Sequence, residues 1–149
     1  MAQTYFGSTL RSGSTALTDT VDGGFVVLSQ TVTVTTTADG NAVSATEVLP
    51  AGSQIIDIFV DTMVTPVAGG GTATTCPITI GTAAAGTQYL SATNAIAGGR
   101  IALSFTTAQC LAMADIGTNT SVVATVDPNG TISTTQGVFR ITVVYAAKL

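Results

Sequence analysis

The sequence predicts an all-β fold, a single antiparallel β-sandwich or jelly roll of about eight short strands, and three observations carry that prediction. Threonine makes up about a fifth of the 149 residues and Val is abundant, while Leu, Glu, Lys and Arg, the staples of helix surfaces, are scarce. β-Branched side chains suit a pleated, half-buried surface. Apolar and polar residues alternate with period two through several runs, which puts one set on each face of a strand. Turn signals recur at intervals of roughly 8–12 residues, the rhythm of a sandwich. The length fits one domain, read as an extended N-terminal arm over residues 1–24 followed by the sandwich over residues 25–149.

Taken in order, the arm is rich in Gly, Ser and Thr, and its apolar anchors are Tyr5, Phe6 and Leu10. Two adjacent aromatics on an arm predict docking into a neighbouring subunit. Phe25 to Thr37 contains Thr-Val-Thr-Val, a strand with one hydroxyl face and one apolar face. Asp39-Gly40-Asn41 then supplies a tight turn, so Ala42 to Leu49 is expected to return antiparallel beside it. Pro50-Ala51-Gly52-Ser53 turns the chain into the run around which the rest is organised, ending at Val64. Alternation assigns Ile56, Ile58, Val60, Thr62 and Val64 to the core. It assigns Ile55, Asp57, Phe59, Asp61 and Met63 to an opposite face that meets another subunit, with Arg100 or Arg140 of a neighbour opposing the acids.

Beyond it, Gly69-Gly70-Gly71 is a loop, and Pro77 to Gly81 is a short strand. Gln88 to Ser91 reads as a strand or an ordered loop, and Arg100 to Phe105 alternates with Ile101, Leu103 and Phe105 on one face. Thr107 to Ile116 is the one segment of helical composition, good for a turn or two before Gly117. Ser121 to Asp127 is a strand ended by the turn Asp127-Pro128-Asn129-Gly130. In the final strand, Phe139, Ile141, Val143 and Tyr145 belong in the core, opposite Val138, Arg140, Thr142 and Val144.

Composition narrows function by exclusion. Charged residues are 8% of the chain, against about 25% in an ordinary soluble domain. So few charges weaken the usual protection against association, and much of the surface is expected to be covered in an assembly. The net charge is −4, with Arg11, Arg100, Arg140 and Lys148 the positive residues, which argues against a nucleic-acid partner. Mean hydropathy is +0.53, yet no run nears the roughly 18 apolar residues of a spanning helix. Aromatic residues at 5%, without Trp, do not furnish the girdles of a membrane barrel, so no membrane partner is expected. The N-terminal residues show no basic segment followed by an apolar core, which points to synthesis in the cytoplasm.

Without His, the usual general base and the His-dependent triads are missing. Asp57 and Asp61, four residues apart on one strand face, stand about 13 Å apart, too far for a glycosidase pair. Cys76 and Cys110 match neither a disulfide framework nor a metal-ligand spacing and read as two small buried thiols. Hence no catalytic residue, metal or cofactor is expected. The candidate residues are an interface set: Tyr5, Phe6, Leu10, Ile55, Asp57, Phe59, Asp61 and Met63.

Three stretches carry a resemblance: Leu49-Pro50-Ala51-Gly52-Ser53 running into Ile55-Ile56-Asp57-Ile58-Phe59-Val60; Ile78-Thr79-Ile80-Gly81-Thr82-Ala83-Ala84; and Phe139-Arg140-Ile141-Thr142-Val143-Val144-Tyr145. From about Thr31 onward the chain resembles the head decoration, or cement, proteins of tailed bacteriophages. The resemblance implies a compact β-sandwich or jelly-roll body, often a trimer, on the capsid exterior of the virion. There it would clamp major capsid subunits, with no catalytic residues. A tail or fibre component and a carbohydrate-binding sandwich are the alternatives, the second disfavoured by the lack of Trp platforms.

Overall fold

The computed structural model describes residues 11–12, 15–16, 25–67, 74–130 and 135–148. Tyr5, Phe6, Leu10 and the triple glycine at 69–71 lie outside these, as does most of the N-terminal arm. Of that arm, β1 (Arg11–Ser12) and β2 (Thr15–Ala16) pair as a minimal antiparallel ribbon.

Two antiparallel four-stranded sheets pack face to face, so the chain is an all-β sandwich. The first sheet has the order β3 (Phe25–Thr35), β10 (Val138–Lys148), β5 (Gln54–Val64), β8 (Gly99–Arg100). The second runs β4 (Val43–Val48), β9 (Ser121–Val126), β6 (Pro77–Gly81), β7 (Leu90–Asn94). β10 shows the expected alternation: Phe139, Ile141, Val143 and Tyr145 are buried between the sheets and Arg140 points out. Its register with β3 runs unbroken from Val138↔Thr35 to Lys148↔Phe25, so Val32 and Val34 of β3 face inward and Thr31, Thr33 and Thr35 outward. Each large side chain fully buried here, such as Phe139 or Ile141, contributes about 1.5–3 kcal/mol by leaving water. β9 is covered on both faces, because Thr125 on its outer side binds Ser44 Oγ (2.8 Å) and the Ala85 N–H (2.8 Å).

Two expectations fail for identifiable reasons. Ala42 to Leu49 does not fold back on β3; β3 pairs with β10 and β4 with β9, so the connection crosses from one sheet to the other. Thr36 anchors the crossing: its N–H donates to the Gly137 carbonyl at 2.9 Å, and the Gly137 N–H donates to its Oγ1 at 2.8 Å. Residues 36–42 thus make a longer link than a tight hairpin uses. The face assignment of β5 fails at both ends because the strand bulges twice. Tyr145 pairs with Ile55 and Val144 with Asp57, leaving Ile56 as the extra residue. Ile55 is therefore in the core at 3% exposure, whereas Ile56 stands half in solvent at 50%. The second bulge leaves Met63 unpaired between Thr62 and Val64, and both Met63 and Val64 are exposed. Between the bulges the alternation holds, with Ile58, Val60 and Thr62 inward.

The helix α1 (Thr107–Ala114) is as short as its composition predicts. Thr106 Oγ1 accepts from the Gln109 N–H while Gln109 Oε1 accepts from the Thr106 N–H, a reciprocal cap that starts it. Gln109 also donates to the Thr87 carbonyl (3.0 Å) and to Ser91 Oγ (2.9 Å), which ties the helix to β7. Cys76 is buried as expected, and burial pushes its thiol up to about 11. Cys110 is exposed on α1, contrary to the expectation of two buried thiols. No helix of the described residues is long and apolar enough to cross a membrane.

Candidate functional site

The outer face of the first sheet brings together Asp57, Asp61, Arg100 and Arg140. Register decides this: Asp61 on β5 lies directly beside Arg140 on β10 and Arg100 on β8, making one cross-strand row of three. Arg100 grips Asp61 with two bonds, Nε to Oδ1 at 2.8 Å and Nη2 to Oδ2 at 3.2 Å, and Arg140 Nη2 reaches Oδ2 at 3.0 Å. Hydrogen bonds from Arg100, then from Arg140, hold the Asp61 carboxyl at about 2, well below its ordinary 3.8. The same contact raises the Arg100 guanidinium further. Asp61, though on the outer face, is buried beneath its two partners.

The expectation for these residues changes accordingly. The arginines that oppose Asp61 belong to the same chain, so this acid needs no neighbour to balance it. Phe59 is half-buried, with the Arg100 guanidinium carbon 4.5 Å from its ring centre, a cation–π contact. Asp57, also half-buried, accepts the Ile58 N–H on Oδ1 at 2.8 Å. Ile55 is removed from the set by the first bulge, since it lies in the core. Met63 is exposed as an interface residue should be, but at a bulge near the end of the strand. The apolar patch expected from Ile55, Phe59 and Met63 therefore does not form.

In its place, a shallow depression of about 320 Å³ opens beside Phe59, bounded by Asp57, Arg100, Ile101, Leu103 and Phe105. Its far wall is the segment expected as a strand. Only Gly99–Arg100 joins the sheet there, with one further bond from the Ile101 N–H to the Val60 carbonyl at 2.9 Å. Ile101, Leu103 and Phe105 alternate as the sequence predicts, half-buried against exposed Ala102 and Ser104. This depression combines an apolar floor, one carboxylate and one guanidinium, a composition suited to contact with another protein surface. No group of three or more Cys, Asp or Glu side chains gathers among the described residues.

One residue that sequence reading passed over is Glu47. It sits on the inner row of β4 at 6% exposure, and neither carboxylate oxygen has a hydrogen-bond partner. Desolvation alone raises its carboxyl from 4.5 to about 7. Its parity signals this, since Val43, Ala45 and Leu49 share its strand face and are all apolar. No family model, no curated protein and no solved structure matches this chain.

Proposed function

We propose that this chain is a virion structural protein, a capsid decoration protein that binds the outside of a head and strengthens contacts between major capsid subunits. The observation that carries the reading is how little free charge the sandwich presents. Only four side chains are cationic, and Arg100 and Arg140 are both spent on Asp61 within the chain. Meanwhile Val27, Val48, Ile56, Met63 and Leu111 stand exposed. Such a surface gains by being covered with copies of itself or with a shell. The depression beside Phe59 is the site offered for the major capsid protein, and the N-terminal arm, through Tyr5, Phe6 and Leu10, is a second contact. The resemblance of the sequence to decoration proteins points the same way. A partner that binds only the assembled shell stabilises it by mass action.

The test adds purified chain to undecorated shells and follows their thermal disassembly. Binding should raise the disassembly temperature, and removal of residues 1–20 should reduce occupancy. Shells that neither bind the chain nor gain stability contradict the proposal.

A further inference from the structure

The two sheets have four edges, and three of them are defended against pairing. β8 is two residues long and carries Arg100, engaged with Asp61. β7 is five residues long and pairs irregularly with β6 between Ile78 and Ile80. β4 is six residues long and points Glu47 inward, and an inward acid on an edge strand opposes intermolecular pairing. β3 has none of these devices. It runs eleven residues without a bulge, Pro or ionisable side chain, and among the described residues no strand lies on its far side.

The apolar residues of β3 are also uncovered toward its N-terminal end. Val26 and Leu28 share the inward parity of Val32 and Val34, yet they are 37% and 44% exposed, and Val27 on the other face is 62% exposed. We propose that β3 pairs antiparallel with β3 of a second copy about a two-fold axis, joining the two first sheets into one of eight strands. A two-fold axis sets each strand against itself, so a charge near the axis stands beside its own image; an uncharged strand suits such pairing. Full overlap of residues 25–35 places the axis at Gln30. Leu28 then faces Val32 of the second copy, and Val26 faces Val34, which covers the inner-row residues left open in one copy. On the outer row, Ser29 faces Thr31. Complete pairing supplies about ten backbone hydrogen bonds to an edge with which no other described strand pairs. Glu47 keeps β4 out of the contact, so the copies join through one sheet. The pairing does not depend on the capsid reading, and it makes the assembly even-numbered, in place of the trimer that the resemblance implies.

The test uses sedimentation velocity on the full chain between about 5 and 200 μM, with native mass spectrometry for stoichiometry. Wild type should contain a two-copy species. Ser29→Lys and Ser29→Asp, each exposed on the outer row and close to its own image, should weaken it about tenfold or more. An equimolar mixture of the two variants should restore a heterodimer, which unfolded variants would not do. Thr31→Lys, exposed on the same row and equally close to its own image, replaces Ser29→Lys if far-ultraviolet circular dichroism shows the latter unfolded. A wild type that stays monomeric, forms three-copy species, or associates equally well in both Ser29 variants overturns the proposal.

Discussion

Replacing Glu47 with Gln should remove a pH dependence that the wild type carries. The Glu47 carboxyl titrates near 7 in the fold and near 4.5 when unfolded, because burial penalises the charged form and no cation compensates. Between those values the folded chain holds a proton that the unfolded chain has released, so stability falls as pH rises. The contribution is fully present below about 4.5, declines toward 7 and is gone above it. The interval between 4.5 and about 7 converts to at most about 3 kcal/mol. For a domain of this size that is a fall in Tm of roughly 6–12 °C. Urea denaturation at pH 5, 6, 7 and 8 should show the wild type losing most of this amount, while Glu47→Gln is nearly flat. A wild type whose stability is level or rises over that range refutes the reasoning. So does a Glu47→Gln variant with the wild-type slope.

The remaining predictions concern the outer face, the bulge and the helix cap. Asp61→Asn should lose about 1 kcal/mol at pH 7, discounted because both arginines are largely exposed. It should also lose the wild-type acid limb, in which stability present above 3.8 disappears as pH falls through about 2, read by thermal melts down that range. Ile56→Lys should change the denaturation midpoint little, whereas Ile58→Lys, two residues on and fully buried, should prevent folding. Equal effects at the two positions would remove the bulge from the account. Thr106→Ala should cost about 1 kcal/mol by uncapping α1, visible as a lower Tm.

How far the sequence reveals this molecule depends on whether strand parity stays in phase. In β10 it does, and Phe139 to Tyr145 fall on the faces that alternation assigns. In β5 the parity breaks at Ile56 and again at Met63, because an extra residue reverses every side chain beyond it. Nothing in Gln-Ile-Ile-Asp-Ile announces which isoleucine will be extra. Arg100 and Arg140 are the arginines expected opposite Asp61, but that they belong to the same chain was beyond reach for another reason. Arg100 and Arg140 are 39 and 79 residues away, and only the pairing of β8 and β10 with β5 brings them beside it. The same ignorance of which strands become neighbours made the link after Asp39-Gly40 look like a hairpin. Glu47 was legible, since an acid in an apolar parity row marks either a wrong strand or a buried charge.

On the function proposed above, the sandwich is packed in many copies against a shell. The most direct test of that function is the ratio of this chain to the major capsid protein in purified virions of its source, measured by quantitative mass spectrometry. The account predicts a fixed ratio commensurate with the shell lattice. Absence from the particle, or a handful of copies per virion, would contradict it.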